Sequence, residues 1–143
     1  KSKDPDTKVG CVIVGPEREI RSTGYNGFCR SVDDTAERWS RPDKYWWVEH
    51  AERNAVYNAA RMGTSLRECF AYIQISPCVD CTRALIQAGI SVVYVPYKNH
   101  VERFEMLKQR MTPEAYEEHL QDFENILTMF DEAGVAFIFI GEE

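Results

Sequence analysis

Several classes of protein are set aside by what this chain of 143 residues has little of. No apolar run reaches the ~18 residues that a membrane-spanning helix needs, so no membrane partner is expected. No signal peptide is visible in the opening residues, and a cytoplasmic protein is the expectation. Positive charge is short: 17 Lys and Arg stand against 23 Asp and Glu, for a net charge of -6. That balance argues against a polynucleotide as the main partner, because backbone phosphates demand clustered cations. A mononucleotide asks only for a few cations locally. Histidine is rare, with three in the chain, and the five cysteines form an odd set with one tight pair. A secreted disulfide framework needs more than that. The chain opens at Lys1 and not at Met, so the natural N-terminus is expected to be missing.

What is present fits a single globular domain over residues 1–143. The composition is 44% hydrophobic and 28% charged, and the length suffices for a core. Lys8–Val14 and Glu19–Tyr25 read as strands of a hairpin, with Gly15 to Arg18 as the turn. Residues 26–45 read as one long polar loop, a length that is usually functional in a compact domain. Ala51, Ala55, Ala59 and Met62 repeat at helical spacing, predicting a helix from His50 to Met62 that Gly63 ends. Phe70–Ile75 reads as a strand. Cys78–Ala88 reads as a helix opened by Pro77 and closed by Gly89. Val92–Val95 is a strand, and residues 101–133 are helical with a break at Thr112-Pro113. Val135–Ile140 is the last strand. Strands alternating with helices predict an α/β sheet whose later strands run parallel.

His50-Ala51-Glu52, followed by Pro77-Cys78-Val79-Asp80-Cys81, carries the chemistry. Both pieces fall at predicted helix starts, where the helix dipole favours a thiolate. Cys78 and Cys81 lie three apart on one helix face, and His50 offers a third ligand. Three protein ligands leave a position for water, which distinguishes a catalytic zinc site from a structural one. Glu52 stands two residues past His50, on a different part of the helix surface. It is read as the proton carrier and not as a ligand. This spacing is the signature of zinc-dependent nucleobase deaminases. Taken alone, Cys-x-x-Cys also fits a redox pair or a chance core pair. A structural zinc site completed by Cys29, Cys69, His100 or His119 is the competing arrangement. Cys11 and Cys69 read as core fillers, and His119 as a solvated helix residue.

Beyond the metal motif, the chain resembles the deoxycytidylate (dCMP) deaminases of the cytidine deaminase superfamily. Ser2-Lys3-Asp4-Pro5, Val9-Gly10, Gly24-Tyr25-Asn26-Gly27, His50 to Ala55 and Ser76 to Cys81 look like successive blocks of that family, continued by Gln87 to Ile90 and Ala133 to Val135. The resemblance implies a three-layer α/β/α sandwich of cytidine deaminase type. Its five-stranded mixed sheet would have an antiparallel first hairpin and parallel later strands. It implies one catalytic Zn2+ per subunit on His50, Cys78 and Cys81, with Glu52 as proton shuttle and dUMP as product. Substrate contacts are expected at Asn26, Ala51, Tyr97, Lys98 and Lys3, with the last three near the phosphate. Asp33 and Asp34 fall in the region that family members use for nucleotide regulation, with Mg2+ as a companion ion. A homo-oligomer, hexamer or dimer, is also implied. Two departures bear on regulation: Cys29 stands where a proline is common, and Ser31 where a glycine is common. The family's opening helix, which would precede Ser2, is expected to be missing.

Other deaminases share the zinc motif. A transfer-RNA adenosine deaminase is disfavoured by the net charge, and a free-nucleoside cytidine deaminase by His50 in the ligand position where that class has Cys. A guanine or pterin deaminase is disfavoured by the Asn26 turn block. A dCTP deaminase, a deaminase domain of a larger nucleotide-depleting defence protein and a silent zinc-binding module complete the alternatives. An intact Glu52 counts against the last.

Overall fold

A computed structural model describes residues 2–141. The hairpin forms as β1 (Gly10–Val14) and β2 (Ile20–Tyr25), paired antiparallel with Cys11 opposite Gly24 and Ile13 opposite Ser22. The loop between the hairpin and the first long helix holds more structure than its polarity suggested. A two-residue strand β3 (Gly27–Phe28), a 3-10 turn at Glu37–Trp39 and a short helix α1 (Lys44–Trp47) lie within it. β4 (Val48–Glu49) then pairs with β3. Phe28 stacks on Trp39 at 4.6 Å, so aromatic contact organises a segment with no hydrophobic period.

The helices and strands that follow match the sequence pattern closely: α2 (Ala51–Met62), β5 (Phe70–Ile73), α3 (Val79–Ala88) and β6 (Val92–Pro96). Gly63 and Gly89 close α2 and α3 in the left-handed conformation, which costs glycine nothing. The next helix begins earlier than its apolar period indicated: α4 runs Tyr97–Arg110, directly after Pro96. Thr112 caps α5 (Pro113–Glu132) by accepting from the Ala115 amide at 3.2 Å. β7 (Ala136–Ile140) completes the sheet, whose order is β2-β1-β5-β6-β7. β1 pairs antiparallel with β5, while β5-β6 and β6-β7 are parallel. This is the expected five-stranded mixed sheet of cytidine deaminase type.

Strand alternation sends Cys11, Ile13, Ala71, Ile73, Val93 and Val95 to one face, which is fully buried. α2, α3 and α5 supply Ala55, Leu85, Ile126 and Phe130 to the same core. The opposite face carries Tyr72 and Ile140, each 40% exposed, and Ile138. The four long helices therefore lie over one face.

Candidate active site

α2 is fastened to the edge of the sheet, and this sets where its N-terminus sits. Ser22 Oγ donates to the Ala55 carbonyl at 2.6 Å, Asn54 Nδ2 to the Tyr25 carbonyl at 2.8 Å and Asn58 Nδ2 to the Thr23 carbonyl at 2.7 Å. Gly24 allows the contact: a Cβ there would lie 2.2 Å from the Ala51 carbonyl oxygen and 2.4 Å from the Ala55 nitrogen. Arg53, near the start of α2, pairs with Glu49 and reaches Asp80 of α3 at 3.5 Å. The two helix N-termini are thus held side by side.

At that junction His50 and Cys78 are the residues just before their helices. His50 Nδ1 is 3.4 Å from Cys78 Sγ and 3.5 Å from Cys81 Sγ. The three donor atoms all lie within 4.8 Å of one another, and they are the one such group of metal-binding side chains among the described residues. Cys29, Cys69, His100 and His119 contribute nothing to it, which removes the four-ligand structural arrangement. An imidazole and two thiols converging this closely match the donor set and number of an open zinc site. The local field favours the thiolate at Cys78, while Cys81, which shares its hydrogen bond, is pushed up by that bond and by burial. A hydrogen bond with Cys81, helped by His50, brings the Cys78 thiol down to about 4. His50 is raised in turn, chiefly by its hydrogen bond with Cys78.

Glu52 is 4% exposed and lines the same cleft as His50 and Cys78. Burial raises its pKa above that of an ordinary glutamate, against the opposing pull of Cys81 and His50. A carboxyl in that condition holds a proton more readily than a solvated one, so it can serve as an acid as well as a base. Ala51 is buried beside it.

The cleft measures about 1160 Å³, and Asn26 and Ala51 also line it. The Asn26 side chain is fully engaged: Nδ2 donates to Asp4 Oδ2 at 3.1 Å and to the Thr7 carbonyl at 2.8 Å, and Oδ1 accepts from the Val9 amide at 2.9 Å. Lys3, Tyr97 and Lys98 do not line the cleft. Lys3 pairs with Asp34 at 3.2 Å, so two residues expected at separate nucleotide sites are joined to each other. Asp34 also accepts from the Trp39 indole, and Asp33 is exposed. Tyr97 packs edge-on against Phe139, and Lys98 faces Glu102 at 3.8 Å.

Sequence reasoning missed several cleft residues. Lys44 is buried and binds Asp4 at 2.8 Å and Asp6 at 3.5 Å. Arg41, Arg103 and Arg110 line the same cleft. Nothing in the local sequence marks these cations, although Asp4 in the opening block was a signal that a buried partner existed. His119 differs from its solvated expectation: its Nε2 is buried and has no hydrogen-bond partner. His100 packs among Phe104, Phe123 and Phe139, with Nδ1 2.8 Å from Ser76 Oγ.

The fold and this cluster define an α/β domain with a His-Cys-Cys metal centre at two helix N-termini. Residues 1–96 match the family described as the cytidine and deoxycytidylate deaminase zinc-binding region, and the chain belongs to that family. It is 45% identical over 98 residues to a probable deoxycytidylate deaminase of Caenorhabditis elegans, which covers 66% of this chain and 49% of that protein. It is 37% identical over 107 residues to the Homo sapiens deoxycytidylate deaminase, covering 70% and 59%. The chain therefore spans about half the length of these curated relatives. The crystal structure of a cyanophage S-TIM5 dCMP deaminase in complex with dCMP and dUMP superimposes with a TM-score of 0.66 at 21% identity, over 97% of this chain and 85% of that one. At that identity the likeness establishes the shared fold. No helix among the described residues is long and apolar enough to cross a membrane.

Proposed function

We propose that residues 1–143 form one deaminase domain that hydrolyses dCMP to dUMP and ammonia. The observation that carries this is the buried Glu52 beside the convergent His50, Cys78 and Cys81 in one cleft. The relatives named deoxycytidylate deaminases support the choice of nucleotide. His50, Cys78 and Cys81 would hold Zn2+, which supplies Lewis acidity to make water a nucleophile near neutral pH. Water adds to the amine-bearing ring carbon of the cytosine. Glu52 accepts a proton from that water and delivers it to the adjacent ring nitrogen. It then passes the second water proton to the departing amine, so that the C–N bond breaks and ammonia leaves. Burial of Glu52 serves both directions, because a carboxyl with a raised pKa is a usable acid as well as a base. Asn26 holds the Asp4–Val9 segment in place at the cleft wall and borders the sugar. Ala51, buried at the cleft wall, borders the base.

Ammonia release from dCMP, dCTP, deoxycytidine and guanine, with and without a chelator, tests the reading. Turnover is expected to be highest on dCMP and to be lost with the chelator. A preference for deoxycytidine or guanine over dCMP would overturn it.

A further inference from the structure

The cleft has a cationic end that the proton chemistry leaves unused. Most cleft cations are already matched: Lys44 by Asp4 and Asp6, Arg53 by Glu49 and Asp80, and Arg41 by Asp6 at 3.5 Å. Arg103 and Arg110 of α4 are different, with no ion pair among the described residues, and Arg110 is exposed to solvent whereas Arg103 is not. Arg103 is half-buried and lines the cleft. It has no ion pair or side-chain hydrogen bond among the described residues. Burial, together with the like charges of Arg41 and Arg110, presses its guanidinium below the ordinary arginine range. Nearby on α5, the His119 Nε2 is buried without a partner. Burial and the Arg103 charge, against the pull of Asp122, keep that ring below its usual pKa. Two unmet demands thus share one place: a partly desolvated charge lacking a counter-ion, and a buried ring nitrogen lacking a hydrogen bond. Proteins rarely leave either unsatisfied.

We propose that Arg103, with Arg41 and His119 beside it, holds the 5′-phosphate of the nucleotide whose base is processed at Glu52. The inference rests on the deaminase reading above. A planar guanidinium presents paired donors that match phosphate oxygens, and charge-assisted bonds of this kind are the strong ones. The alternative cations, Lys3 and Lys98, stand outside the cleft and face their own carboxylates.

The test compares kcat/KM for dCMP and for deoxycytidine in Arg103→Ala, Arg103→Gln, Arg103→Lys and Lys98→Ala, with zinc content and melting temperature as checks on folding. The dCMP-to-deoxycytidine ratio is expected to fall roughly 10–100-fold in Arg103→Ala and Arg103→Gln, the size of lost hydrogen bonds to a charged group. Most of that loss should lie in KM for dCMP. Arg103→Lys should recover part of it, and Lys98→Ala should change the ratio less than about twofold. Arg103→Gln keeps the length of the side chain, so it answers if the alanine variant folds poorly. A wild-type enzyme active on dCMP whose ratio is unmoved by Arg103→Gln, or collapses in Lys98→Ala, overturns the inference. A wild type inactive on dCMP overturns the deaminase reading itself.

Discussion

The two walls of the cleft handle their polar groups in opposite ways. On the wall built by α2 and α3, an imidazole and two thiols are pressed within 4.8 Å of one another, with a buried carboxyl alongside. Their proton affinities are displaced by one another: the Cys78 thiol is lowered by its bonds with Cys81 and His50, and His50 is raised by its bond with Cys78. On the wall built by the Asp4–Thr7 segment and α1, every charge is answered. Lys44 meets Asp4 and Asp6, and Asn26 spends its whole amide on the segment that carries them. The first wall is arranged to take something in. The second is arranged to hold its shape. Substitutions on the first should change chemistry with little effect on folding once metal is bound, and substitutions on the second should do the reverse.

Removing a ligand should give the largest effect. Cys81→Ser or chelation is expected to strip the zinc and abolish deamination, with metal content and turnover falling together. Retention of full activity by a metal-free protein would erase the distinction between the walls. Glu52→Gln comes next. It should keep zinc and a wild-type melting temperature while losing about 10²–10⁴-fold in kcat, the usual range for a general acid–base. A melting temperature lowered in step with kcat would place Glu52 with the structural wall instead.

The two walls were also unequally legible in the sequence. The metal wall could be read because its residues sit at fixed offsets on helices whose starts announce themselves. Pro77 opens one helix, Gly89 closes it, and Ala51, Ala55 and Ala59 mark the buried stripe of the other. The hairpin and the parallel strands followed from period and punctuation in the same way. The other wall resists such reading because its contacts join residues far apart in the chain. Asp4 and Lys44 are 40 residues apart, and α1 lies in a segment whose composition says only loop. Arg103 sits on a helix outside the matched residues 1–96, where no motif singles out one arginine from its neighbours. Alternation tells which strand residues share a face, and both faces of the central strands are apolar, so the sequence does not say which one the helices cover.

Lys44→Met tests the shape-holding wall. Breaking a buried pair and leaving Asp4 alone should cost about 3–5 kcal/mol of stability, read as a lower denaturation midpoint, while zinc remains bound in the folded fraction. The pH dependence carries a definite sign. Burial alone would raise the Asp4 carboxyl, but Lys44 and the amides of Asp6 and Thr7 outweigh it and hold the pKa below the ordinary value. A depressed folded pKa means the stabilisation is fully present above the unfolded aspartate value of about 4 and is lost as pH falls through the lower folded one. Wild type should therefore lose stability below about pH 4, and Lys44→Met should show a shallower loss over that window.

The smallest effect expected belongs to the residue that joins the two regions. Gly24 lies on β2 where α2 comes closest, and it precedes Asn26 by two residues. Its need for glycine is one of space: an added methyl carbon would sit 2.2 Å from the Ala51 carbonyl oxygen and 2.4 Å from the Ala55 nitrogen. Both are backbone atoms of one helix, so no rotamer change relieves the contact. α2 must move away from the sheet as a unit, carrying His50 and Glu52 with it. Overpacking of this kind costs about 1–3 kcal/mol, less than loss of the Lys44 pair. Because the shift is transmitted to the helix N-terminus, Gly24→Ala should lower stability, zinc affinity and kcat together, unlike any substitution confined to one wall. A variant that loses stability but keeps zinc affinity and kcat would show that α2 reaches its place through Ser22, Asn54 and Asn58 without the close approach at Gly24.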